Sequence, residues 1–533
     1  MLESAERLTL PPGSNLSGGT DTTWLHLLPS LDMGTVVCVG APPPDSDRLI
    51  RHHADRVIVV EPRQTPPPDA IGDCDLLLLA AWAPDDVDWV VDSLTPLLGD
   101  VATVALLPGG GERTSIGGGP SSKALGSLQQ IVDERSGWYL IPARQTSRVA
   151  VKRLKRGLML GRARVSNLLG SRLSAASSHA SDLITYQPIA ADGASWRLRG
   201  TVVNSATHFS ELPEYLVNLG ADQGVKLDGR PWSYGPGRGF RSQKIIFTVT
   251  TNPPKDDLII KSTQDPRFND RLAAEVAALT EIPRIGTDDA FEVPEVRFFG
   301  EHAGLLLVAE TRLDGAPFRQ VAEPNPMGRH FEAGIDAITT LGSTTIRQTD
   351  AGELGAAADA LFNAYCTIFS PPDEVTDALG ATVHRLGSVS GPAVLQHGDA
   401  GVWNLLVGTD GAPIGILDWE NADTAGMPLW DLFVFARTFG VFMADSAGVR
   451  YDPSVFRRQL LEPSPLQSAL SEATRRYCTT LGIDTDTASD LFTLCWVQQA
   501  VREAATLPTR SWTTGRNNRY IEACLETPFR ASP

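Results

Sequence analysis

His397, Asp399 and Asn404 stand in the order H-x-D-x-x-x-x-N within LQHGDAGVWNLLVGTDGAPIGILDWE, residues 395–420, and Asp418 follows fourteen residues after Asn404. Moving a phosphoryl group from ATP asks two things of protein acids and amides. One is a base that orients the attacking hydroxyl, and the other is oxygen ligands for the magnesium that accompanies the phosphates. Asp399 suits the first role, Asn404 and Asp418 the second. Two short apolar runs flank the turn GTDGA, and a tight antiparallel hairpin there would bring Asp418 back beside the start of the first strand. An Asp–Asn pair by itself is also what a turn or a helix cap uses, so the weight falls on what lies upstream.

Upstream, Gly235, Gly237 and Gly239 precede an expected strand, Lys244 to Thr250. Backbone without Cβ atoms can approach a polyphosphate closely there, although a glycine-rich surface turn reads the same way. A second strand is expected to end at Lys261, where an ammonium could meet nucleotide phosphates. Glu275 lies fourteen residues on, inside a helical pattern from Phe268 to Leu279, either turned toward that lysine or paired with Arg271 at i, i+4. The chain has only seven lysines, and none follows Lys261. The strand GLLLVAE, 304–310, comes next, and the rest is mostly helical apart from the hairpin at 405–417.

On these residues, positions 232–525 resemble the aminoglycoside phosphotransferase and choline kinase family, small-molecule kinases with a protein-kinase-like fold. The matching residues are Lys261, Glu275, His397-Gly398-Asp399 through Asn404, Asp418 in LDWE and Asp431 in PLWDL. The resemblance implies that Lys261 binds the ATP phosphates and Glu275 holds that lysine. It implies that Asp399 is the catalytic base, that Asn404 and Asp418 hold magnesium, and that His397 and Asp431 support the loop. The stretch LVAETRL, with Glu310 at its centre, resembles the interlobe connection that meets adenine. The glycine segment departs from the family's commoner serine-containing loop.

Twelve residues separate Asp418 from Asp431 and no Ala-Pro-Glu follows, which leaves little room for the segment on which a protein kinase lays its peptide. A small hydroxylated acceptor is favoured. Residues 311–533 hold 26 acids and 16 arginines, a balance that suits a cationic acceptor and equally suits ordinary surface charge. The whole chain carries 46 Lys+Arg against 63 Asp+Glu, a net −17, which argues against a nucleic-acid or anionic-membrane partner. The first residues lack a secretory core and the longest apolar run, Leu76 to Ala83, is too short to span a bilayer. Six scattered cysteines show neither metal-ligand nor disulfide spacing; buried free thiols and a cytoplasmic location are expected.

The front of the chain has another texture. Apolar runs at 34–40, 56–61, 75–82 and 101–107 alternate with room for helices, which predicts a Rossmann-like, doubly wound α/β domain over about 20–150. Glu61, at the end of RVIVVE, and the segment YLIPA are similar to class I methyltransferases, which implies S-adenosylmethionine as cofactor. Ala41-Pro42-Pro43-Pro44 stands where that family has a glycine-rich turn, and prolines supply no backbone N–H, so a noncatalytic or repurposed domain is favoured. The glycine-rich stretch 109–119, a basic run at 148–164 and a serine-rich segment at 171–181 complete the front half. The expected division is a Rossmann-like domain (1–150), a connector (151–230), a kinase-like N-lobe (231–310) and a helical C-lobe (311–533). A pseudokinase that binds or assembles, or a bifunctional methyltransferase-kinase, are the alternatives to a small-molecule kinase.

Overall fold

The computed structural model describes residues 25–26, 28, 30–42, 44–66, 71–80, 89–94, 97–98, 103–106, 138–142, 200–204, 212–236, 244–251, 256–285, 291–349, 352–387, 391–408, 412–506 and 515–531. Gly237, Gly239, the glycine-rich stretch 109–119, the basic run, the serine-rich segment and most of the connector lie outside these residues. The chain forms two compact units, Gly18–Phe268 with Arg297–Ala309, and Asn269–Val296 with Glu310–Pro533.

In the first unit, β1 (Thr35–Val39), β2 (Arg56–Val60), β3 (Cys74–Leu79) and β4 (Thr103–Leu106) are parallel, and β5 (Trp138–Pro142) and β6 (Gly200–Asn204) close the sheet as an antiparallel pair. The order is β2-β1-β3-β4-β6-β5. Unbroken runs such as TVVCV and CDLLLL form these strands because both faces are buried. Val36, Cys38, Leu76 and Leu78 go to one side, with Leu49 and Ile50 of α1 (Pro44–His53). Val37, Val39, Leu77 and Leu79 go to the other, with Ile71, Val90 and Leu94. After β1 the chain turns at Gly40 (φ +79°), and Pro44 opens α1, a position where a helix tolerates proline but gains no N–H.

The next sheet has the order β11-β12-β9-β8-β7, from β7 (Trp232–Pro236), β8 (Lys244–Val249), β9 (Leu258–Thr263), β11 (Val296–His302) and β12 (Leu305–Thr311), with β10 (Phe291–Glu292) lying elsewhere. Ile245, Phe247, Ile260, Phe298 and Leu307 join the first face of the front sheet in one contiguous core, with Tyr215 and Leu216 of α2 (Glu214–Asp222). Polar ties reinforce it. Arg48 of α1 pairs with Asp265 at 2.9 Å. Gln223, beyond α2, exchanges two hydrogen bonds with the Phe299 backbone, so its amide covers part of an edge strand.

Lys261 does not end its strand. Ser262 and Thr263 continue β9, with Thr263 opposite Lys244, because these residues suit a pleated ladder as well as the apolar ones before them. In the second unit α3 (Asn269–Ile285) outruns the expected end at Leu279: Ala278, Leu279 and Ile282 form a buried stripe at helical spacing, and Pro283 falls in the last turn. The hairpin pairs β15 (Leu405–Val407) with β16 (Ile414–Ile416), and β10 and β13 (Ala316–Pro317) extend it to four strands. β14 (Val394–Gln396) pairs with β17 (Asp423–Gly426).

Helices α4 (Arg329–Thr344), α5 (Glu353–Phe369), α6 (Asp373–Leu386), α7 (Trp430–Ser446), α8 (Pro453–Leu460), α9 (Pro465–Leu481), α10 (Ala488–Thr506) and α11 (Arg516–Glu526) build the remainder. WDLFVFARTFGVF is apolar around nearly its whole circumference, and α7 is accordingly buried at its centre. Among the described residues no helix is long and apolar enough to cross a membrane. All six cysteines are free, five of them buried.

Candidate active site

The second unit gathers His397, Asp399, Asn404, Asp418, Asp431 and Glu275 around one loop. β14 delivers the chain to His397, and Gly398 turns it with φ +81°. A Cβ on Gly398 would stand 2.2 Å from the Asn421 carbonyl oxygen and 2.6 Å from an Arg502 nitrogen. Only glycine fits both that conformation and that space.

Asp431, in the first turn of α7, accepts from the backbone N–H groups of His397 (2.6 Å) and Gly398 (2.8 Å). Burial pushes its carboxyl above the usual carboxylate range, while those two donors favour the ionised form. His397 is fully buried; its Nδ1 accepts from the Asp399 N–H (3.2 Å), so its Nε2 carries the proton and donates to the Leu417 carbonyl (2.9 Å). The imidazole therefore ties the start of the loop to the end of the hairpin, one residue before Asp418.

Asp399 is partly exposed, and its carboxyl is pushed up to about 6 by desolvation and by the neighbouring charge of Asp418. The Asn404 amide nitrogen donates to the Asp399 carbonyl (2.8 Å) and to its Oδ2 (3.2 Å). That amide orientation directs Oδ1 away from Asp399, as an oxygen suited to a cation. Asp418 adopts φ +68°, a left-handed conformation that is rare outside glycine and costs about 1–3 kcal/mol, so its neighbours must enforce it. The Asn404 carbonyl accepts from the Leu417 N–H at 2.9 Å, and Glu275 accepts from the Trp419 N–H at 3.1 Å, pinning the residues on either side. Glu275 is fully buried on α3.

Two carboxylates close enough to repel, plus an amide oxygen, form a hard-oxygen donor set of the kind a magnesium ion accepts when phosphate oxygens and water complete its shell. Among the described residues no group of three or more His, Cys, Asp or Glu side chains is placed to hold a metal alone.

Lys261 belongs to the first unit. It is buried in β9 and lies opposite Ile246, which in turn lies opposite Gly235 of β7, so the lysine and the glycine share one row of the sheet. Glu310, near the end of β12, is also buried.

Sequence reasoning missed the residues that hold the loop from behind. Arg502 of α10 donates to the carbonyls of Gly398 (2.9 Å) and Asn421 (3.3 Å). Thr438 donates to the Phe435 carbonyl and accepts from the Val402 N–H. A signal existed for Arg502: it is the single basic residue in the largely apolar run LFTLCWVQQAVREA.

Residues 237–459 match the family model described as phosphotransferase enzyme family. This segment belongs to that family. Among curated proteins none matches the sequence significantly. Solved structures similar to the phosphotransferase segment include a macrolide 2'-phosphotransferase, MphH, from Brachybacterium faecium, 19% identical, covering 56% of this chain and 99% of its own, TM-score 0.34. The aminoglycoside phosphotransferase APH(3'')-Id from Streptomyces rimosus is 16% identical over 53% of this chain and 95% of its own, TM-score 0.30. The ethanolamine kinase of Plasmodium vivax is 13% identical over 55% and 82%, TM-score 0.35.

Proposed function

We propose that this protein is an ATP- and magnesium-dependent phosphotransferase that moves the γ-phosphate onto a hydroxyl of a small molecule. The observation that carries this reading is the convergence of Asp399, Asn404 and Asp418 on one braced hairpin. Asp399 orients the acceptor hydroxyl and takes its proton as the new O–P bond forms; the bond from γ-phosphorus to the bridging oxygen breaks, and ADP leaves with that electron pair. Asn404 and Asp418 would hold the magnesium, which when bound offsets negative charge on the phosphate oxygens. Lys261 binds those phosphates together with the backbone of Gly235, Gly237 and Gly239. Glu275 serves as a positioning residue, and the backbone around Glu310 receives adenine.

A small acceptor is supported by the fate of the segment after Asp418. Part of it is committed to β17, paired with β14, so it is not an open platform for a peptide. The presence of Lys261, Asp399, Asn404 and Asp418 together opposes a pseudokinase. For the front sheet, the core it shares with β8, β9 and β12, and the proline at the head of α1, favour a scaffold over a cofactor site.

The test is calorimetry and turnover on the purified full chain. Asp399→Asn should lower kcat by about 100- to 10,000-fold while leaving magnesium–ATP binding intact. Wild-type protein that binds no magnesium–nucleotide would overturn the reading. A thermal shift with S-adenosylmethionine that is lost in Glu61→Ala would overturn the scaffold role.

A further inference from the structure

Between the proposed base and a proposed magnesium ligand stands Trp403, four residues after Asp399 and one before Asn404. It is 44% exposed, the one aromatic ring among the large apolar side chains that the described residues leave open to solvent. Single exposed apolar residues are ordinary; what sets this one apart is how tightly the loop holds it. The Gly401 N–H donates to the Asp399 carbonyl (2.6 Å) and the Asn404 N–H to the Gly401 carbonyl (2.8 Å), so the chain turns twice between Asp399 and Asn404. A Cβ on Gly401 would stand 2.8 Å from Cε2, 3.0 Å from Nε1 and 3.1 Å from Cζ2 of the indole, which places the nitrogen side of the ring directly against that glycine. From there the indole N–H donates to the Asp399 carboxylate, whose Oδ2 also takes the Asn404 amide at 3.2 Å.

An acceptor hydroxyl that gives its proton to Asp399 must come within about 3 Å of the carboxylate that already receives the indole N–H. Hydroxyl and indole nitrogen then stand no more than roughly 8 Å apart, the span of two hydrogen bonds and one carboxylate. The carbon framework around that hydroxyl therefore has the indole for a neighbour. With its only donor spent on Asp399, the indole has no polar group left to offer, and what remains is a flat apolar face that packs against C–H groups. A saturated ring covers such a face as one rigid body, whereas an open chain must give up several rotors to do so.

Resting on the phosphotransferase reading above, we propose that Trp403 is a specificity-determining residue: the acceptor is a cyclic alcohol that lays the C–H face of its ring on the indole while its hydroxyl meets Asp399. Gly401 belongs to the same device, since a side chain there would push the indole away from the base. Small open-chain alcohols, which leave the indole uncovered, are disfavoured.

Two measurements on the full chain test it. In protein carrying 5-fluorotryptophan, Trp403→Phe identifies the Trp403 fluorine signal among the eleven tryptophans. Titrated with hexopyranoses, aminohexoses, inositols and nucleosides, that signal should shift with at least one of these ring compounds, and it should stay in place with alditols and amino alcohols. In calorimetry and turnover with the ring compound that shifts it most, Trp403→Ala should weaken binding and raise the acceptor KM by about tenfold or more, with the ATP KM unchanged. Trp403→Phe, which keeps an aromatic face, should stay within about threefold of wild type in that KM. The side chain is exposed, so neither substitution opens a cavity and both variants should fold. A Trp403 signal that no ring compound moves, an equal response to open-chain compounds, or binding and KM left unchanged by Trp403→Ala would overturn the proposal. A ring-dependent shift in a protein that binds no magnesium–ATP would instead overturn the kinase reading and leave the Trp403 platform standing.

Discussion

The two units handle buried polar groups in opposite ways. In the second, buried carboxylates hold backbone: Asp431 takes the N–H groups of His397 and Gly398 and Glu275 takes that of Trp419. In the first, buried imidazoles are kept neutral. Burial, aided by His53, lowers His26 to about 3, and burial with His52 and His302 lowers His53 to about 4. His302 stacks on Tyr215 at 4.7 Å and accepts from the Leu31 N–H. The contrast teaches that the second unit uses buried carboxylates to hold a loop in a strained shape, while the first keeps its buried imidazoles neutral and holds its buried ions, Lys261 and Asp265 among them, along the sheet that follows the front one.

The strongest way to break this contrast is Asp431→Ala. It leaves two buried N–H groups without their carboxylate and should cost about 3–5 kcal/mol in urea denaturation, with turnover lost. Retention of wild-type stability would show that the loop is held by other contacts. Next is Gly398→Ala, which adds a clash with Asn421 and Arg502 to the left-handed strain and should cost about 3 kcal/mol or more. Gly448→Ala, at φ +72° with open space around it, should cost only about 1–2 kcal/mol, which separates strain from collision.

Acid sharpens the comparison because the signs differ. An unfolded imidazole takes a proton near 6.5 while folded His26 and His53 refuse it until about 3 and about 4. The first unit should therefore lose stability as pH falls below 6.5, on the order of a few kcal/mol by pH 4. Asp399 has its folded value raised to about 6, so in metal-free protein its contribution runs the other way and grows as pH falls from 6 toward 4. Hydrogen exchange, corrected for intrinsic rates, should show β1, β8 and β9 opening before α7 and α10; the reverse order would remove the distinction. The smallest effect belongs to the surface. Arg476→Ala breaks exposed pairs with Glu332 and Asp336 and should change stability by less than about 1 kcal/mol.

The hairpin of β15 and β16 was legible because two short apolar runs flank the turn signal GTDGA. The front strands were legible because β-branched runs such as TVVCV allow little else. Three features were not. What covers a sheet that is apolar on both faces cannot be read from the strands themselves, so the core shared with β8 and β9 was hidden. The pairing of β14 with β17 rests on three- and four-residue strands with no alternation to detect. The burial of the Arg437 Nε depends on helices distant in sequence, so nothing along α7 announced it.

The contiguous core joining the front sheet to β8, β9 and β12 also has a meaning for inheritance. A shortened chain beginning at residue 231 would leave Phe247, Ile260, Phe298 and Leu307 facing water. Damage at Cys38 or Leu76 would thus surface as loss of phosphotransferase protein even if the front sheet touches no ligand, and the two sheets would have to be kept, swapped or lost together.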